Sequence, residues 1–381
     1  MEKNMGISVL SLFDGMGCGR IALERSGIDV GEYYACEIEK SAIAVATSRY
    51  PGTIQLGDVS KVSYRNGTIF SENGAFKSGR IDLLIGGSPC TNFSSIGNQR
   101  GMSSGAGRIE DLATYLSMKS SGEAFEGQSY LFWEYVRILR ETAPEYFLLE
   151  NVVMAKRWSN VITKSLGVEP VEINSSLLSA QNRPRLYWTN IPGVTVPCDR
   201  GISLDDILIE SADKSDVSSC QTVQKSIPRL IKKYGYVPER FNPYNAAEIT
   251  NKACALSRGS MVTSSCATLL FVKTDQGVHS VSGGLLDGSH RTSLEDGRYN
   301  LRRLSLEEME ALQTVPTGYT NVHGVSRQKR SAMLGNGWTV DVISHIFSFL
   351  PRAKGKDSGR NQGSACLDGA CGRIVGNLFK K

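Results

Sequence analysis

From Ile7 to Phe147 the chain alternates short apolar runs with longer amphipathic ones, and this alternation restricts its fold more than any other feature. "ISVLSLF" reads as a strand, and "GCGRIALERSG", after a glycine-rich turn, as a helix. "YYACEIE" is a second strand, and the helical "KSAIAVATSRY" behind it stops at Pro51, which cannot continue a helix. "IDLLIGG" supplies another strand. "LFWEYVRILRE" carries apolar residues at helical spacing, and "EYFLLENV" is a further strand ending on Glu150 and Asn151. Such alternation predicts βαβ units, hence an α/β fold with a parallel sheet covered by helices on both faces. Ligands of such sheets bind beyond the carboxyl ends of the strands, which directs attention to the residues that terminate each apolar run.

Those ends carry chemistry. "FDGMGCG" after the first strand is a glycine-rich turn at a helix start, where a ligand approaches the backbone closely. It is not a Walker loop, because no Gly-Lys-Ser/Thr follows, and Arg20 occupies the place of the last glycine in a GxGxxG. A nucleotide-like ligand is expected, with no demand for phosphate. Glu37 ends the second strand, where an acid accepts hydrogen bonds from ribose hydroxyls. Asp58 follows "IQLGD", and a turn or helix cap is an equally simple role for it. Cys90 follows "IGGSP" as either a small core thiol or a nucleophile at a strand end. "QNRPR" places Gln181, Arg183 and Arg185 at alternate positions, which in an extended segment points all three to one face. A cysteine, the Glu150 carboxylate and these cations at one end of one sheet favour the nucleophile over the core thiol.

A chain of 381 residues holds one large domain, or a large and a small one. Its 40% hydrophobic and 21% charged residues suffice for a sizeable core, and a net charge of +5 permits a nucleic-acid partner without arguing for one. No apolar run reaches the length of a membrane span and "MEKNMGISVL" lacks a secretory pattern, so a cytoplasmic protein is expected. Nine scattered cysteines without a CxxC pair predict free thiols and no metal site. The polar, Gly/Ser-rich stretch from Asn98 to Gln128 is long for a connection within a compact domain, which suits an active-site lid. From about Val194 to Gly297 periodicity weakens and the basic-aromatic "RLIKKYGYVPERFNPY" appears, as expected of a smaller inserted domain. Helical signals resume in "LRRLSLEEMEALQTVPTGYT" and "RQKRSAMLGNGWTVDVISHIFSFL". The expected division is therefore 1–193, 194–297 and 298–351, with a disordered basic tail over 352–381.

Taken together, these stretches resemble the DNA (cytosine-5) methyltransferases. "SLFDGMGCGR", the acid of "ACEIE", "GDV", "GGSPC", "LFWEYVRIL", "ENV", "QNRPRLYW", "LRRLSLEEMEALQTVPTGYT" and "LGNGWTV" follow the family's order over about residues 7–193 and 298–350. The wording of "VLSLFDG", "IGGSPC" and "GNGWTV" is most similar to the animal de novo methyltransferases and their bacterial or phage-borne relatives. The resemblance implies a Rossmann-like S-adenosylmethionine-dependent methyltransferase sheet plus a smaller target-recognition domain over 194–297. It also implies action on double-stranded DNA in a prokaryotic or phage-infected cell, without a metal, a membrane or an obligatory protein partner.

By the same resemblance, Cys90 attacks cytosine C6, assisted by Arg183 and Arg185, while Glu150 serves N3 and Asn151 braces the loop and the exocyclic amine. Phe13, Gly15, Met16 and Gly17 shape an S-adenosyl-L-methionine pocket beside Pro89. Glu37 takes the ribose, Ile38 packs on the adenine, and Asp58 and Val59 read its edge. Leu131, Asn336 and Trp338 close the pocket. Two departures stand out: the stretch from Cys90 to Leu131 is longer than in compact bacterial members, and 194–297 offers no usable likeness. One branch of the family modifies transfer RNA and carries a Cys-Phe-Thr tripeptide, which this sequence lacks. The other alternative, a catalytically inactive DNA-binding paralogue, sits poorly with Cys90, Glu150 and Arg183 all being present.

Overall fold

The structure, a computed structural model, describes residues 6–89, 103–104, 107–125, 127–209, 217, 219–258, 266–273 and 299–351. Its main sheet has seven strands: β1 (Ile7–Leu12), β2 (Val30–Cys36), β3 (Ile54–Gln55), β4 (Leu83–Gly87), β5 (Tyr146–Val152), β6 (Val171–Asn174) and β7 (Pro184–Thr189). They lie in the order β6-β7-β5-β4-β1-β2-β3. All neighbours from β5 to β3 run parallel, while β7 is antiparallel to both β5 and β6. The strand order reverses between β1 and β4, so their carboxyl ends open a crevice at the switch point of the sheet.

Alternation along the strands explains the two covered faces. Val9, Leu83 and Ile85 join one core with α1 (Cys18–Arg25) and α9 (Val340–Phe347). Leu10, Leu12 and Leu84 join the other with α4 (Phe132–Thr142) and α5 (Lys156–Leu166). A strand buried on both faces reads as a continuous apolar run, which is how "VLSL" and "LLI" appear in the sequence. The remaining helices are α2 (Lys40–Arg49), α3 (Leu112–Ser120), α6 (Gln221–Tyr234), α7 (Leu306–Leu312) and α8 (Arg327–Asn336).

Several expectations need amendment. The stretch expected as a lid contains α3, capped by the Asp111 carboxylate on the Thr114 amide, so part of it is a packed helix. After β3 a three-stranded antiparallel meander forms over Ser63–Arg65, Thr68–Ser71 and Gly74–Lys77. Downstream, β8 (Arg240–Asn242), β9 (Ala247–Glu248), β10 (Leu269–Lys273) and β11 (Tyr299–Arg303) build a second, antiparallel sheet. That sheet shares a separate small core with α6, centred on Val223, Leu230, Phe241, Leu269 and Leu301. Its last strand lies beyond residue 297 and carries "YNLRR", where a helix was expected, because the backbone of this segment pairs antiparallel with β10. Leu204, Ile249, Ala253 and Leu256 pack into the first core, so this part of 194–297 adheres to the main sheet's own interior. Cys18, Cys36, Cys220 and Cys254 are free thiols as expected, whereas Cys198 is disulfide-bonded. No helix among the described residues is long and apolar enough to cross a membrane, and they contain no cluster of metal-ligating side chains. The expected disorder of 352–381 falls outside the described residues.

Candidate active site

The turn after β1 is built from backbone conformations that side chains rarely adopt: Phe13, Gly15 and Gly17 have φ of 59°, 61° and 85°. Two of the three positions are glycine, as left-handed backbone requires, and space is open where a Gly15 Cβ would stand. Phe13 carries the strain of a non-glycine residue there. The Tyr319 hydroxyl fixes the turn from behind by donating to the Met16 carbonyl at 2.8 Å. From the end of β2 the Glu37 carboxylate accepts from the amides of Gly15, Ile38 and Glu39, each at 2.8 Å. This one acid therefore holds the glycine turn against its own strand end. Ile38 beside it is 68% exposed, unusual for so apolar a side chain. Asp58 caps a 3-10 turn over Val59–Lys61 by accepting from the Ser60 amide at 2.9 Å, and Val59 is buried.

Beneath the turn lies an acid that motif reasoning did not single out. Asp14 is 9% exposed; its Oδ1 accepts from Ser11 Oγ and the Tyr33 hydroxyl, each at 2.7 Å, while Oδ2 has no hydrogen-bond partner. Burial, partly countered by those two hydrogen bonds and reinforced by the charge of Glu37, pushes its pKa up to about 6. A carboxyl raised in the folded state favours folding when protonated. That contribution is complete below the ordinary value of 3.8 and is lost as pH rises through about 6. We expect the stability of the native chain relative to Asp14→Asn to fall by on the order of 3 kcal/mol between the two limits. Urea unfolding of both proteins across that range measures it, and parallel pH profiles would show that Asp14 is not the group responsible.

The second half of the site gathers at the ends of β4 and β5. Glu150 stands directly opposite Gly87 in the parallel pair. Arg185 Nε forms an ion pair with one carboxylate oxygen at 3.0 Å, and the other accepts from Trp338 Nε1 at 3.0 Å, so groups from distant parts of the chain hold both. A Cβ at position 87 would come within 2.8 Å of that indole nitrogen and 3.0 Å of the carboxylate, which explains a glycine there. Asn151 is buried and donates through Nδ2 to the Ser88 carbonyl at 3.2 Å and to Ser88 Oγ at 3.1 Å, bracing the turn that leads through Pro89. Cys90 is the next residue and lies outside the described ones. Leu131 forms the N-cap of α4 and packs on the second core, and Asn336 is the exposed last residue of α8.

The alternation read from "QNRPR" does not bring its three side chains to one place. Gln181 and Asn182 pair with Ala253 and Cys254, whereas Pro184 begins β7 and pairs in the main sheet, so the chain changes partners at Arg183. Gln181 Oε1 accepts from the Leu256 amide at 2.6 Å and Arg183 donates to the Leu256 carbonyl at 2.5 Å. Arg183, 4% exposed, also donates to the carbonyls of Gly335 at 3.2 Å and Gly337 at 3.0 Å. Arg185 instead meets Glu150.

Comparison with known proteins adds to this geometry. A family model described as C-5 cytosine-specific DNA methylase matches residues 7–351. The chain is similar to the orphan methyltransferase M.SPRI of Bacillus phage SPR, with 29% identity over 201 residues, 49% of this chain and 38% of that protein. It is equally similar to M.SPBetaI of Bacillus phage SPbeta, with 29% identity over 209 residues, 49% of this chain and 45% of that one. The chain thus spans less than half the length of these curated relatives. Among solved structures, a Dnmt2 methyltransferase of S. pombe superimposes with a TM-score of 0.59 and 17% identity over 90% of this chain and 98% of that one. The methyltransferase EhMeth of Entamoeba histolytica does so at 0.58 and 13%, over 91% and 98%. At such identities the likeness is one of fold.

Proposed function

Because the chain belongs to the C-5 cytosine-specific DNA methylase family, we propose that it methylates C5 of a cytosine flipped out of duplex DNA, with Cys90 as nucleophile. The observation that carries the proposal is the Glu150 carboxylate of β5, held by Arg185 and Trp338 opposite Gly87 at the end of β4, the strand that leads to Cys90.

Cytosine C5 is a poor nucleophile. A thiolate of Cys90 adding to C6 gives C5 enamine character, and the charge that builds on the ring is relieved when N3 receives a proton. Glu150 gives N3 that proton as a carboxylic acid and takes it back when the thiolate leaves; Trp338 Nε1 holds one of its oxygens meanwhile. The Arg185 guanidinium stays beside it as a fixed positive charge. Loss of the C5 proton to a base and departure of the Cys90 thiolate from C6 restore the ring. Arg183 acts at one remove, by holding the loop that presents Trp338.

The first half of the crevice fits S-adenosyl-L-methionine. Gly15 leaves room for close approach, and exposed Ile38 offers an apolar face to a base. Glu37 has three of about four acceptor positions filled, which leaves one for a ribose hydroxyl. Asp58 and Val59 stand at the next strand end. When bound there, the cofactor supplies the methyl group.

The second sheet with α6 is the proposed target-reading unit. Lys232 and Lys233 close α6 as exposed cations suited to phosphate contacts that position a duplex, Lys233 also lying over the Tyr234 ring at 4.8 Å. Arg240 is instead paired with Asp205, and Arg229 donates to the Tyr244 carbonyl.

Expression in a host without cytosine methylation tests the proposal. Mass spectrometry of its DNA should reveal 5-methylcytosine, and bisulfite sequencing should place it in one recurring motif. Unmodified DNA alongside newly methylated RNA would overturn the choice of substrate.

A further inference from the structure

The 3-10 turn after Asp58 is held by more charge than a surface turn needs. On its outer side Glu72, from the meander, accepts from the Asp58 amide at 3.0 Å and from Lys61 Nζ at 2.6 Å. On its inner side Arg137 of α4 donates to the Val62 carbonyl at 2.7 Å and to the Val59 carbonyl at 3.3 Å. Lys119 of α3 donates to the Ser60 carbonyl at 3.0 Å. Both cations then converge on Glu134, whose side chain is fully buried: Lys119 Nζ lies 2.5 Å away and Arg137 Nε 2.8 Å, with the Tyr115 hydroxyl at 2.5 Å.

The charges explain why a second helix takes part. Within α4, Arg137 serves two carboxylates, those of Glu134 and Glu141. That leaves one negative charge in excess in a buried place, where an uncompensated charge is costly. Lys119 balances it from α3. The ammonium that satisfies Glu134 is therefore the same one that grips Ser60, inside the turn capped by Asp58.

We propose that Lys119 is a positioning residue for the cofactor, coupling the docking of α3 to the shape of the Asp58–Val59 turn; this rests on that turn meeting S-adenosyl-L-methionine. Since α3 belongs to the segment between Cys90 and α4, a ligand that orders the turn also favours the docked helix. By linkage, the docked helix favours the ligand.

Lys119→Met and Lys119→Arg test it. Calorimetry with S-adenosyl-L-methionine should show Lys119→Met binding about tenfold more weakly, the effect of losing a charged hydrogen bond, with Lys119→Arg close to wild type. At saturating cofactor kcat should hold while KM for the cofactor rises, even though the charge left on Glu134 lowers thermal stability; a merely structural role would lower kcat as well and leave KM for the cofactor unchanged. Cofactor should also slow proteolytic cleavage within Leu112–Ser120 in the wild type and fail to do so in Lys119→Met. If the wild type binds and Lys119→Met binds as tightly, the coupling is refuted and the cofactor assignment stands. If the wild type itself does not bind, both fall.

Discussion

Replacing Cys90 by serine is expected to abolish turnover while leaving affinity for S-adenosyl-L-methionine nearly unchanged. A thiol is ionised to a useful degree near neutral pH and a serine hydroxyl is not, so addition to C6 has no nucleophile in the variant. The cofactor contacts proposed here, at Gly15, Glu37 and Asp58, do not pass through the thiol. DNA containing 5-fluorocytosine provides the direct readout. Fluorine at C5 blocks the final elimination, so the wild type should form a covalent adduct stable to denaturing electrophoresis and the serine variant none. Methylation at the wild-type rate in Cys90→Ser would remove covalent catalysis through this residue.

Glu150→Gln should have the next largest effect. The amide preserves the size of the side chain yet cannot hand a proton to N3 as a carboxylic acid does, a function worth about 10²–10⁴-fold in rate. It also introduces an NH2 group where both neighbours, Arg185 Nε and Trp338 Nε1, are donors. One of those contacts must break, and the side chain loses its double anchorage. Single-turnover methylation at saturating cofactor measures the loss. Cofactor affinity should stay near the wild-type value, because the proposed role of Glu150 is toward the base and the proposed cofactor contacts lie at Gly15, Glu37 and Asp58. A variant within a few-fold of wild type would place the N3 proton on another group.

The main sheet was legible because β1, β2, β4 and β5 are buried on both faces and end in residues of distinct chemistry. The meander was legible too, although it went unread: Asn66-Gly67 and Asn73-Gly74 are hairpin signals, and Asn66 and Gly67 both have positive φ. Helix α3 is hidden by the glycines and serines around it; Leu112 and Tyr115 tie it into the second core, and the ion pair from Lys119 to buried Glu134 is one that no periodicity reveals. The strand character of Tyr299–Arg303 depends on pairing with a segment far upstream, so local preference could not betray it. Glu150 and its neighbour Trp338 lie 188 positions apart, and each was identified without their contact. Glu37 shows the same limit: the residue was apparent, but the three amides that claim its carboxylate were not.

Gln181 and Arg183 together grasp both polar main-chain groups of Leu256, and Arg183 extends to the carbonyls of Gly335 and Gly337. The hydrogen bonds at this seam are to peptide groups and place no demand on side-chain identity, beyond the apolar side chains of Ala253 and Leu256 that the first core requires. The sequence downstream can therefore diverge while its path past the seam is preserved, which makes the joint suited to recombination. A foreign small-sheet unit keeping the same backbone trace between Ala253 and Leu256 would be received by an unaltered catalytic frame, and one that shifted it would pull Arg183 away from the loop bearing Trp338.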